Sequence, residues 1–87
     1  MLNFPNASRY YDPRQRHVRF WAHDSALEIS FSLDTAALFQ LDPGTQADEA
    51  GLLKTFDLNR TAIEKAATRA YTRHHRGIYT LIASDFV

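Results

Sequence analysis

No cysteine occurs among the 87 residues, so no disulfide can reinforce the fold and no thiolate can serve as nucleophile or metal ligand. Small secreted domains usually lean on disulfides, so this absence points to a reducing compartment such as the cytoplasm. Long apolar runs are also missing. The longest is four residues, far below the roughly 20 that a membrane-spanning helix needs. The opening Met1-Leu2-Asn3-Phe4-Pro5-Asn6 has neither a basic stretch nor an apolar one, so no secretory signal is expected. The three glycines, Gly44, Gly51 and Gly77, lie too far apart to cradle a phosphate. No Gly-x-Ser-x-Gly elbow is present, and no repeat, low-complexity tract or linker interrupts the chain.

Net charge is absent too: ten basic residues offset ten acidic ones. A polyanion binder carries excess positive charge, so nucleic acid is not the default partner. The signs are segregated, however. Residues 9–23 hold Arg9, Arg14, Arg16 and Arg19 against Asp12; residues 24–57 are acidic apart from Lys54; residues 58–76 turn basic again. The expectation is that two layers of opposite sign neutralise each other. A chain of this length makes one domain, residues 1–87, with a small core and a thin stability margin.

What is present is amphipathic patterning. Val18, Phe20 and Ala22 alternate with polar neighbours, as do Leu27, Ile29, Phe31 and Leu33. This period of two on both sides of a short connection predicts a β-hairpin over 16–33. With His23-Asp24 as its loop, Phe20 faces Leu27, Val18 faces Ile29 and Arg19 pairs with Glu28; any even loop length keeps the apolar face intact. Ser8 to Tyr11 forms a shorter strand joined through Asp12–Gln15. Asp34 caps a helix over 35–40 that Pro43-Gly44 ends. Thr45-Gln46-Ala47-Asp48 resembles a capping box. Leu52, Leu53, Phe56, Arg60, Ile63, Ala67, Ala70, Tyr71 and His74 then fall on one helical stripe, as one bent helix or two parted near Asn59. Gly77 ends it, and Ile78 to Ala83, apolar on both parities, predicts a central or doubly covered strand.

The fold class that follows is α+β: a small, mainly antiparallel sheet of about four strands, order β-β-β-α-α-β, with helices packed on one face. Its expected core is Val18, Phe20, Leu27, Ile29, Phe31, Leu38, Leu53, Phe56, Ile63, Ala67, Ala70, Tyr71 and Leu81.

Four residues stand out as candidates for binding or an interface: Arg19, Trp21, Glu28 and Arg60. Trp21 shares a strand face with His17, Arg19 and His23, opposite the apolar set. Either another segment or subunit covers that face, or Trp21 is an open platform for stacking a ligand or a base. Arg60 interrupts the apolar stripe, where its stem can cover the core while its head finds Asp57, or where it can pair with a carboxylate to recognise a ligand. Asp85 reads as a charge guarding an edge strand. His74 and His75 diverge on a helix and His17 and His23 lie roughly 20 Å apart along a strand, so no metal site and no cofactor is expected. No catalytic residue emerges.

Taken together, Leu2-Asn3-Phe4-Pro5, Val18-Arg19-Phe20-Trp21, Asp24-Ser25-Ala26-Leu27-Glu28-Ile29-Ser30-Phe31, Phe56-Asp57-Leu58-Asn59-Arg60-Thr61-Ala62-Ile63 and Ala83-Ser84-Asp85-Phe86 resemble a family of small bacterial proteins, domain of unknown function 1488. The resemblance runs over nearly the whole chain. It implies a bacterial cytoplasmic protein that is one complete α+β domain, and it carries over no activity and no catalytic residue. The functional expectations are therefore a non-enzymatic interaction or regulatory module, self-associating or protein-binding; a nucleic-acid-associated regulator using its Arg and Trp surface; or a small-molecule binder or small enzyme.

Overall fold

The computed structural model describes residues 2–5, 8–73 and 78–87. Strands β1 (Leu2–Asn3), β2 (Arg9–Asp12), β3 (His17–Asp24) and β4 (Leu27–Asp34) come first. Helices α1 (Thr35–Leu41), α2 (Glu49–Leu58) and α3 (Arg60–Arg73) follow, then β5 (Ile78–Leu81) and a 3₁₀ turn, Ala83–Phe86. Strand β3 pairs antiparallel with β1, β2 and β4, while β5 runs parallel to β4. The result is an α+β fold with a mainly antiparallel sheet, as the sequence pattern predicts.

The β3–β4 hairpin has an even loop, but the loop is Ser25-Ala26 rather than His23-Asp24. The loop moves by two residues and each cross-strand partner therefore by four: Phe20 faces Phe31, Val18 faces Leu33 and Arg19 faces Ser32. Parity survives, so the apolar face is unchanged. The longer pairing adds ladder bonds and stacks Phe20 on Phe31, with ring centroids 5.2 Å apart. It also requires φ 57° at Ser25, the first loop position, where a type II′ turn would favour glycine. The expected Arg19–Glu28 pair is lost, because Glu28 faces His23.

Three helix boundaries follow from side chains that satisfy unpaired N–H and C=O groups. Asp34 caps α1 by accepting from the Ala36 N–H at 3.1 Å. Asp48, not Thr45, caps α2, accepting from the Gly51 N–H at 2.7 Å. The capping box thus fails in favour of a later start, and the Thr45 hydroxyl instead donates to the Asp42 carbonyl at 2.7 Å. Gly51 is needed for this tight entry, since a Cβ there would lie 2.5 Å from the Gln46 carbonyl oxygen. Asn59 separates α2 from α3, and its side-chain amide donates to the Thr55 carbonyl at 2.9 Å, closing the end of α2. Two helices, not one, carry the apolar stripe. The expectations for His74, His75 and Gly77 lie outside the described residues.

The core joins the inner sheet face to the helices. Val18, Phe20, Ile29, Phe31, Leu38, Phe56, Ile63, Ala67 and Leu81 are buried as expected, with Ala22, Leu33, Ala37, Leu52, Ala66 and Tyr79 beside them. Rings run through it: Phe20 meets Phe56 edge-on at 5.2 Å, Phe31 stacks on Tyr79 at 5.2 Å, and Phe4 caps the group 6.2 Å from both Phe20 and Phe31. Leu53, Ala70 and Tyr71 pack only partly against this core. Leu27 does not join it. It opens β4 beside the hairpin loop and stays 61% exposed.

Strand β5 is a correction as well. It lies at the sheet edge, paired with β4 alone. Its second parity is apolar without being covered: Ile78 is 65% and Ile82 46% exposed. Asp85 guards no strand. It belongs to the 3₁₀ turn, where its carboxylate accepts from the Ile82 N–H at 2.7 Å.

Candidate interaction face of the sheet

Alternation places Val18, Phe20 and Ala22 under the helices, so His17, Arg19, Trp21 and His23 must project from the other side of β3. Cross-strand pairing then fixes their neighbours. Tyr10 faces Arg19 from β2, and Ser32 faces it from β4. Trp21 faces Ser30, and Ser30 and Ser32 in turn face Ile78 and Thr80 of β5. The centre of this outer face is therefore Tyr10, Arg19, Trp21, Ser30, Ser32, Ile78 and Thr80. Acidic residues border it at both ends: Asp12 and Asp34 beside His17, and Glu28 beside His23.

Exposure distinguishes the two faces. Tyr10 is 56% exposed, Trp21 and Arg19 are half-buried, and Thr80 is exposed. Ser32, short and flanked by Arg19 and Thr80, is buried. The Arg19 Nε is likewise buried and meets no acceptor among the described residues. A buried N–H without an acceptor costs about 1–3 kcal/mol, so this arginine sits on the sheet with hydrogen-bonding capacity unused.

The structure thus gathers three of the four candidate residues, Arg19, Trp21 and Glu28, on one face. Four residues of β4 separate Glu28 from the position opposite Arg19, roughly 13 Å along the strand. Arg60 is elsewhere. It lies in the helical layer with its guanidinium 4.9 Å from the Phe56 ring centre, 3.8 Å from Asp57 and 3.5 Å from Glu64. Its stem covers the core and its head stays near carboxylates. Tyr10, Ser30, Ser32, Ile78 and Thr80 were not singled out from the sequence. Only the strand register shows that they adjoin Trp21.

Two further polar contacts tie the layers together on the helical side. Arg9 of β2 reaches Asp57 of α2 through Nε and a terminal nitrogen, both at 2.9 Å. That hydrogen bond, opposed by partial desolvation and aided by the carboxylate's charge, raises the Arg9 pKa further. The Tyr71 hydroxyl donates to the Asp24 carboxylate at 2.5 Å. This bond, followed by desolvation, raises the Tyr71 pKa above its ordinary value. Among the described residues, no group of three or more His, Asp or Glu side chains is placed to hold a metal ion. No helix among them is long and apolar enough to cross a membrane.

Among curated proteins, none matches this sequence. The fold is similar to the crystal structure of a protein of unknown function from the DUF1488 family of Shewanella loihica PV-4. That likeness has a TM-score of 0.80 and 17% identity, and it covers 92% of this chain and 90% of that one. Residues 2–82 match the family model described as protein of unknown function (DUF1488). Because that match runs along almost its entire length, the chain belongs to the DUF1488 family.

Proposed function

We propose that this protein is a non-enzymatic interaction module whose outer sheet face takes a second copy of itself. One observation carries the reading: a helix-free sheet face with Trp21, Tyr10 and Arg19 adjacent at its centre and the Arg19 Nε unmatched. Trp, Tyr and Arg are the residues that dominate binding energy at protein interfaces, and they do so from the centre of a patch. Here the hydroxyls of Ser30, Ser32 and Thr80 surround them, and charged residues form the rim, which is ordinary interface anatomy. A two-fold axis lets one patch serve both partners. Zero net charge adds no long-range repulsion between copies. A setting in the reducing bacterial cytoplasm agrees with the lack of cysteine.

A second reading, stacking of single-stranded nucleic acid on Tyr10 and Trp21, draws on the same face. Asp12, Glu28 and Asp34 on that face oppose it by repelling phosphates. Light scattering on wild type and Trp21→Glu tests the proposal. The wild type is expected to approach twice its 10.0 kDa mass as concentration rises, and the variant to stay monomeric. A wild type that remains at 10.0 kDa throughout overturns the proposal, and a salt-dependent gel shift would favour the alternative.

A further inference from the structure

The expected neutralisation between layers is met by Arg9 and Asp57, but the basic end of the chain does not share in it. Lys65, Arg69 and Arg73 recur at every fourth position of α3, so they form one row on its exposed side, spaced about 6 Å apart. Among the described residues, neither Lys65 nor Arg73 meets a carboxylate, and Arg69 makes only a 3.4 Å contact with the Asp85 carbonyl. The nearby anions are committed elsewhere, Glu64 to Arg60 and the Asp85 carboxylate to the Ile82 N–H.

Apolar depressions flank this row on both sides. One is a groove of about 370 Å³ between β1 and α3, floored by Leu2 and Phe4 and edged by Lys65 and Arg69. The other, about 260 Å³, holds Leu41, Ala62, Phe86 and Val87 and is edged by the same two cations and by Asp85. Leu2 and Phe4 are braced from behind by the core, so the groove does not depend on mobile side chains. Cations that meet no carboxylate among the described residues, on a ridge between two largely apolar hollows, complement a ligand with carboxylates in a row and apolar groups to either side.

We infer that this ridge docks an acidic amphipathic helix of a partner protein. Glutamates four apart on such a helix repeat at the same spacing of about 6 Å and meet Lys65, Arg69 and Arg73 in register. Its flanking leucine-type side chains enter the hollows, the usual helix-in-groove arrangement. The apolar floors and zero net charge favour this occupant over a phosphate backbone, which would leave the hollows unfilled. The surface lies on the helical side of the molecule, opposite Trp21, and is independent of the self-association proposed above.

Fluorescence anisotropy on the full chain tests this, with a labelled synthetic helical peptide carrying glutamate at every fourth position between leucines. Binding is expected, weakened at least tenfold in Lys65→Glu/Arg69→Glu and unchanged in Trp21→Glu. The same peptide with glutamine for glutamate is expected to bind wild type at least tenfold more weakly, a comparison that holds even if the double variant misfolds. No binding of the glutamate peptide, equal binding of the glutamine peptide, or insensitivity to the double variant overturns the inference. So does tighter binding of a single-stranded oligonucleotide or an anionic lipid vesicle at the same salt concentration.

Discussion

Phe56 is where the helical layer meets the sheet, and truncating it measures that contact directly. The side chain is fully buried on α2 and meets Phe20 edge-on at 5.2 Å. Removing such a ring to alanine costs about 3–5 kcal/mol, of which the ring pair itself supplies about 0.5–1.5. A domain of this length has about 4–13 kcal/mol in total, so Phe56→Ala is expected to remove from about a quarter to all of that margin. Phe56→Leu keeps part of the volume and is the variant to quantify. Its expected cost is about 1–2 kcal/mol, which lowers the thermal midpoint by about 4–16 °C for a domain of this size. Leu58 is the control on the same helix: it is 73% exposed, and Leu58→Ala should stay within about 0.5 kcal/mol of wild type. Circular dichroism melts of the three variants provide the comparison. If Phe56→Leu melts with wild type, or Leu58→Ala falls as far as Phe56→Leu, the helices do not close over Phe20 as described.

Two smaller perturbations address the hairpin and the link between layers. Ser25→Gly relieves a positive φ and should stabilise the fold by about 0.5–1 kcal/mol, read as a higher melting midpoint; a lower one would contradict the Ser25-Ala26 loop. Tyr71→Phe removes the bond to Asp24. Because that bond favours the protonated phenol, the folded pKa exceeds the ordinary 10.0. The stabilisation is therefore complete below about pH 10 and lost as pH rises through the raised value. Melts from neutral to strongly alkaline pH should show wild type converging on Tyr71→Phe, and a gap that widens with pH would refute the assignment.

Much of this architecture is written in alternation. Period-two patterning around Phe20 and Ile29 identified the hairpin and its inner face, and the Leu52-to-Tyr71 stripe identified the covering layer. The features it missed depend on tertiary partners. Loops at His23-Asp24 and Ser25-Ala26 preserve the same parity, so only the contact of Phe20 with Phe31 separates them. Ile78 to Ala83 looks doubly covered because both parities carry apolar residues, yet nothing in a single strand's composition tells an edge from a centre. The Trp21 face was half legible: parity placed Arg19 beside Trp21, but Tyr10 and Thr80 reach that face through pairings between distant segments. From the sequence, Lys65, Arg69 and Arg73 read only as part of a basic segment over 58–76, and the hollows beside them arise only when Phe4 and Phe86 fold against α3.

The outer face contains its own probe, because Trp21 is the single tryptophan in the chain. A dilution series that follows its emission and its quenching by acrylamide interrogates that face without any substitution. If copies meet there, emission should shift to shorter wavelength and quenching should fall as concentration rises, both reversing on dilution. Emission and quenching that stay constant while light scattering reports a larger particle would place the contact elsewhere and contradict the assignment of the Trp21 face.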